Sequence, residues 1–487
     1  MSRWLDYGNG LVTTQIEDTF GLETFWFLAL WPEITGRVLV VKVFTKMALS
    51  APRIAFIASG AGGMYCGSCL RDNALAAALQ RSGVDIQLIP TYTPIRTDED
   101  NVSMDRVFFG GIGVYLRHRL PWFRYVPRAV DRWLDRPALL RWASQRSTST
   151  DASRLGPLTE SMLEGVSGAQ KGAVQQFVNW LAGEGKPDII NFSNMLMTGC
   201  VPALKQALHV PILVTLQGDD IFLTGLQEPY RTRVIQRLRE LVQHVDGFIV
   251  FSQFYADRMS ELLSIPPAKM HIVPLGISMD GFPQESSSKK EGPLTIGYLA
   301  RVCFFKGLHH LVEAFLELRQ LSGLEDTRLR IAGWLGSDDV AYFQSQQKRL
   351  KEAGAEEAFS YEGVLERAQK IDFLKSVDVL SVPSVYEEPK GLYVLEALAC
   401  GTPVVQPRHG AFPELLGAAG GRLFDTQNLQ NSLVQELATV LLDHELRGRL
   451  GREGQTYVHQ HRDASTMAAA TLDVYRQYLT GDSSASY

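Results

Sequence analysis

Apolar residues recur along this chain in two alternating registers. Short, nearly continuous runs such as RIAFIAS from Arg53, PDIINFSN from Pro187, VPILVTLQ from Val210 and GFIVFSQ from Gly247 read as strands buried on both faces, each ending in polar residues. Between such runs lie stretches with apolar residues three and four apart, as at Leu308, Leu311, Val312 and Phe315, which predict helices. The alternation predicts α/β domains with parallel sheets. The stretch VDVLSVPSVYEEPKGLYVLEALACGTPVV from Val377 condenses the pattern: a strand over 378–383, a polar loop, a helix from about Gly391 to Gly401 and a second strand over 402–405, the dimensions of one βαβ crossover.

Within that crossover the charges are unusual. Glu396 is the one charged residue in LYVLEALAC, and a lone carboxylate on an apolar helix is costly unless it meets a partner. Glu388 lies eight residues earlier, in the loop. Such carboxylates suit vicinal sugar hydroxyls, each accepting two charge-assisted hydrogen bonds, while Gly391 and Leu392 at the helix start present free N–H groups to phosphate. The alternative leaves Glu388 solvated and Glu396 in a buried ion pair. In GYLARVCFFKGLHHLVEAF from Gly297, Arg301 and Lys306 occupy a strand-to-helix loop, where a planar fork and a point charge together can grip a diphosphate; an exposed basic loop is the other reading.

The segment from Arg53 to Pro90 gives a strand, a glycine-rich loop, an Ala-rich helix and a second strand, a Rossmann-like opening whose Gly60, Gly62 and Gly63 lack the G-x-G-x-x-G spacing. Cys66-x-x-Cys69 at the helix start raises a thiol-redox reading, against two free thiols that merely shape the loop. A zinc site lacks a second ligand pair at metal spacing.

These elements resemble the retaining glycosyltransferases of family 4, which have the GT-B architecture: two facing Rossmann-like domains with an interdomain cleft. The resemblance rests on Glu388-x7-Glu396 and on Arg301 with Lys306, and covers roughly residues 53–95 and 187–478. It implies that Glu388 holds the hexose of a nucleotide-sugar donor, Glu396 its ribose, and Arg301, Lys306, Gly391 and Leu392 its diphosphate. It places the backbone near Val364 against the base, and Gly62 and Gly63 beside the phosphate. Gln217 and Asp219 fall on the acceptor side. Gln217 stands where many members carry a His, and Lys390 where the family has an apolar or aromatic residue. The first departure keeps open a non-catalytic sugar-nucleotide-binding protein; a phosphorylase or epimerase of the same architecture is a further alternative. No cofactor or metal is expected, so the pairs Asp219-Asp220 and Asp338-Asp339 read as polar contacts and a turn.

Composition changes this picture in three places. The chain of 487 residues, 45% hydrophobic, exceeds one core, and its net charge of -5 argues against a nucleic-acid partner. Five cysteines form no disulfide framework and fit a reducing cytoplasm. Residues 106–146 hold nine arginines and two acids interleaved with Trp122, Phe123, Tyr125, Trp133 and Trp142, a stretch suited to a lipid-linked or anionic acceptor or to a peripheral seat on an anionic membrane, or else a solvated basic face.

The expected boundaries are an extension over 1–50, a first domain over 51–283 with the basic insertion at about 96–185, a linker over 284–292, a second domain over 293–462 and a helix over 463–480 crossing back to the first. The fold becomes recognisable just after Met47, which is the expected initiator, with a genuine packed extension as the alternative.

Overall fold

The computed structural model describes residues 3–7, 11–17, 23–29, 42–45, 52–60, 66–108, 152–285, 292–417 and 420–480. Residues Met1–Pro52 form a unit of their own, in which Arg3–Tyr7, Leu11–Glu17, Glu23–Ala29 and Lys42–Thr45 pair antiparallel in sequence order. The remainder, from Arg53, is a second unit built on two six-stranded parallel sheets.

The first sheet comprises β1 (Ile54–Ala58), β2 (Ile86–Pro90), β3 (Ile189–Phe192), β4 (Ile212–Thr215), β5 (Gly247–Val250) and β6 (Met270–Ile272) in the order β6-β5-β4-β3-β1-β2. The second comprises β7 (Thr295–Leu299), β8 (Arg328–Ala332), β9 (Phe359–Tyr361), β10 (Val379–Ser381), β11 (Val404–Pro407) and β12 (Gly421–Phe424) in the order β9-β8-β7-β10-β11-β12. Every residue of β1, β3, β4, β5, β7, β10 and β11 is buried, which is why those sequences carry almost no charge. Both sheets are parallel because helices return the chain after each strand. The helices that bear on the site are α1 (Gly67–Arg81), α2 (Asp219–Gly225), α3 (Gln253–Leu263), α4 (Leu308–Leu318), α5 (Arg367–Ser376), α6 (Leu392–Ala399) and α7 (Ala464–Thr480).

The last of these belongs spatially to the first sheet. Met467, Ala468, Val474 and Tyr475 of α7 share one buried cluster with Phe56 of β1 and Leu75 and Leu79 of α1. Tyr478 closes the far end: its hydroxyl bonds His271 Nε2 at 2.7 Å and rests over Gly247, where a Cβ would stand 2.3 Å from it. A bridge between Ile277 and Asp463 ties the two crossings between the halves together.

Several polar contacts among the described residues join the halves directly, and four stand out. Lys370 of α5 reaches Asp98 at 2.6 Å, Arg367 reaches Glu99 at 2.9 Å, and Lys390 donates to Ser68 Oγ at 2.7 Å. The fourth sets the Glu414 carboxylate on the N-terminus of α3, where it accepts from the N–H groups of Gln253 and Phe254 at 2.7 Å each, a favourable place for a negative charge. The basic stretch expected to meet an anionic surface lies, beyond Phe108, outside the described residues. Among the described residues no helix is long and apolar enough to cross a membrane.

Candidate active site

Open parallel sheets bind ligands where their strand order reverses, because the loops on either side of that point diverge and leave a crevice. In the second sheet the reversal falls between β7 and β10. The loop leaving β7 runs over 300–307 and the loop leaving β10 over 382–391. Lys306 comes from the first and Glu388 from the second, and their side chains meet in a buried ion pair. Tyr386 O–H donates to the same Glu388 oxygen at 3.0 Å, and the rings of Tyr386 and Tyr393 lie 5.0 and 5.3 Å from the Lys306 ammonium. Burial alone would push the Lys306 pKa down, but the charge of Glu388, aided by Tyr393, outweighs it and holds the ammonium above the ordinary lysine range.

The two loops can approach this closely only because of Gly307. Its φ is +69°, and a Cβ there would stand 1.8 Å from the carbonyl oxygen of Pro383 in the opposite loop. Gly307→Ala is expected to cost about 3 kcal/mol, combining left-handed backbone strain with a forced separation of the loops. Urea unfolding checks this; an unchanged midpoint would show that the loops do not need their contact. Gly391, with φ +81°, ends the second loop and starts α6, whose first N–H groups, Leu392 among them, have no acceptor within the helix.

The other expected site residues divide. Arg301 leaves the same loop as Lys306 but turns elsewhere: its guanidinium bonds Asp339 at 3.0 Å and lies 5.1 Å from the Trp334 ring, with its side chain 42% exposed. Glu396 makes the ion pair that was the other reading of its position. Lys370 Nζ lies 2.5 Å from its Oε1, and burial of that ammonium is more than offset by Glu396 and Asp98, which raise its pKa. Val364 follows β9 and is exposed. Gly62 and Gly63 lie outside the described residues.

Across the cleft, Gln217 is buried, donating to Asp72 at 3.1 Å and to the Ser193 carbonyl at 2.9 Å while its own oxygen accepts from Lys390 at 3.5 Å. Asp219 differs from its expected part as an acceptor-side contact. It is 1% exposed, and its two oxygens accept from the backbone N–H groups of Met195 at 2.6 Å and Gln217 at 3.0 Å, bracing the turn at Gly218. Burial raises its pKa to about 6. Asp220 is held by Tyr255 O–H at 2.8 Å. Among the described residues no group of three or more His, Cys, Asp or Glu gathers as a metal site.

Several contributors were not singled out from the sequence: Tyr386, Lys370, Asp98 and Asp72. Tyr386 sits two residues before Glu388, a signal that was present but carries no distinct pattern. Asp98 and Lys370 are 272 positions apart and meet only through domain closure.

Comparison with known proteins decides the family. Residues 282–457 match the family model described as "Glycosyl transferases group 1", and residues 167–280 match "Glycosyltransferase Family 4"; together they span more than half of the chain. The chain belongs to the group 1 glycosyltransferases. Glycogen synthase of Mycobacterium tuberculosis is 26% identical over 299 residues, covering 61% of this chain and 70% of its own. The MMP alpha-(1→4)-mannosyltransferase of Mycolicibacterium hassiacum is 28% identical over 322 residues, covering 61% and 73%. In structure, this glycosyltransferase is similar to the sucrose-phosphate synthase of Thermosynechococcus elongatus, with a TM-score of 0.63 at 17% identity over 88% of this chain and all of that one. Anabaena HepE in complex with UDP and glucose gives 0.59 at 14% identity over 87% and 100%. The fold of this glycosyltransferase is therefore GT-B.

Proposed function

We propose that this glycosyltransferase moves a hexosyl unit from a UDP- or GDP-linked sugar, with retention of configuration, to a hydroxyl of a glycan, lipid-linked or small-molecule acceptor. The observation that carries the reading is the Lys306–Glu388 pair at the point of strand reversal, with Glu388 in the loop that leads into the N-terminus of α6 at Leu392. A diphosphate at that N-terminus meets the Leu392 N–H and competes with Glu388 for the Lys306 ammonium. Glu388, so released, accepts from the sugar hydroxyls. Arg301 gives up only a part-exposed pairing with Asp339, worth about 1 kcal/mol or less, to add a second cation. Lys370 occupies Oε1 of Glu396, and a ribose hydroxyl takes Oε2.

Transfer then needs little beyond positioning and charge. The acceptor hydroxyl approaches from the face the nucleotide leaves, its proton passing to a phosphate oxygen as the anomeric carbon–oxygen bond to the diphosphate breaks and that to the acceptor forms. Lys306 and Arg301 stabilise the charge that grows on the departing diphosphate, in place of a metal ion. HepE, with its bound UDP, makes the uridine nucleotide the first to try.

The test is a thermal-shift series with UDP, GDP, ADP and their sugar conjugates on the wild type and Lys306→Ala. One nucleotide should raise Tm in the wild type and fail to do so in the variant. A folded wild type that responds to none of them would sink the donor reading. With the donor known, the anomeric configuration of the product, read by NMR, decides retention.

A further inference from the structure

The Cys66-x-x-Cys69 motif is left unused by the transfer chemistry, yet the structure places it at the cleft. Cys66 occupies the N-cap position of α1 and is partly exposed; Cys69, one turn into the helix, is buried. Their neighbour from the other domain is Lys390, which lies between Glu388 and Gly391 in the donor-side loop and donates to Ser68, one of the two residues between the cysteines, at 2.7 Å. Among the described residues, no carboxylate pairs with Lys390 within ion-pair distance. Asp72, on the next part of α1, is taken up by Arg71 at 3.1 Å and Gln217.

We propose that Cys66 and Cys69 form a reversible dithiol–disulfide site in the interdomain cleft, which takes low-molecular-weight disulfides as its oxidant and is coupled to the donor loop through Lys390.

The arrangement divides the two thiols by role. The Cys69 thiol donates to the Cys66 sulfur and, with the Lys390 charge, draws the Cys66 pKa well below its usual value against the effect of burial. The same hydrogen bond, together with burial, pushes Cys69 up. Cys66 is thus the attacking thiolate and Cys69 the resolving thiol. Cys66 attacks one sulfur of the oxidant, forming a mixed disulfide and expelling one thiolate. Cys69 then loses its proton to solvent and attacks the Cys66 sulfur, closing the intramolecular disulfide and expelling the second thiolate. Two protein thiols are oxidised, and one small disulfide is reduced to two thiols. Closure removes the thiolate that faces Lys390. Of the other negative charges near the ammonium, Glu388 lies on the donor loop and Asp72, on α1, is already held by Arg71 and Gln217, so the hold of Lys390 on Ser68 slackens.

Redox titration of the full chain tests the site without any variant. In glutathione buffers of increasing oxidised fraction, Cys66 and Cys69 should lose alkylation together, with an intact mass lower by two hydrogens. Cys200, Cys303 and Cys400 should remain alkylable after unfolding. Both cysteines still alkylable in fully oxidised glutathione would overturn the proposal, as would a mixed disulfide on wild-type Cys66 that never resolves. Cys69→Ser should instead trap that mixed disulfide at Cys66. The coupling rests on the donor reading given above and is measured separately, as the Kd of the stabilising nucleotide for the reduced and oxidised chains. A several-fold weaker Kd after oxidation is expected, and equal values would remove the coupling. Disulfide formation in a chain that binds no nucleotide would leave the redox site standing and the donor reading fallen.

Discussion

Glu388→Gln should lower turnover by about 100-fold to 1,000-fold and, in the same protein, lower stability by about 3–5 kcal/mol. The two losses have different origins. Turnover falls because an amide cannot offer a sugar hydroxyl the charged acceptor that the carboxylate does. Stability falls because the substitution leaves the Lys306 ammonium buried beside two aromatic rings with no counter-charge, its side chain being only 15% exposed. Lys306→Met makes the converse error, stranding a carboxylate whose side chain is 6% exposed. The double variant should therefore unfold closer to the wild type than either single one, while its turnover stays at the lower level. Urea unfolding and a transfer assay on all four proteins close the cycle. A double variant less stable than both singles would show that the two charges are not a pair in solution.

The second large effect is expected at Lys370, which no transfer step touches. Its ammonium holds apart two carboxylates, Asp98 at 2.6 Å from the first domain and Glu396 at 2.5 Å from α6. Lys370→Met would leave them facing each other with side chains 4% and 14% exposed. The cost of keeping that arrangement is about 3–5 kcal/mol, and the chain can avoid part of it by parting the domains. Small-angle scattering should then report a larger radius of gyration than for the wild type, and the donor KM should rise more than kcat falls. Adding Asp98→Asn should restore both. Unchanged scattering together with an unchanged KM would show that this contact does not govern closure.

The sequence is most readable where one segment contains its own explanation. The buried strands are continuous apolar runs, and the crossover from Val377 to Val405 declares strand, loop, helix and strand within a single stretch. The strand order of the sheets is not written there, since it depends on pairings such as Ile296 between Leu329 and Val379, far apart in the chain. The candidate site divides along the same line. Glu388 and Lys306 are conspicuous because each is a charge in an apolar setting. What each side chain touches is a different matter. Arg301 and Lys306, five residues apart, take separate partners because the turn ending at Gly307 sends Lys306 inward while Asp339 and Trp334 hold Arg301. Two readings of Glu396 stayed open because the cation that meets it lies on another helix. Asp219 reads as a cleft carboxylate, yet the Gln217 amide beside Gly218 and the Met195 amide 24 residues earlier both claim it, and such claims follow from backbone geometry that composition does not reveal.

The docking of α7 on α1 bears on how the molecule is made. Met467 and Tyr475 are fully buried against residues near the start of the first domain, so that face of its core cannot close until residues 464–480 have left the ribosome. The second domain, whose strands span 295–424, has all its own sheet by then and can fold ahead of the first, reversing the usual order of synthesis. Throughout elongation the face of α1 that carries Leu75 and Leu79 stays open to water, a surface for chaperones to hold. A chain that stopped before α7 would keep the sheet of its second domain and leave the α1 side of the first uncovered.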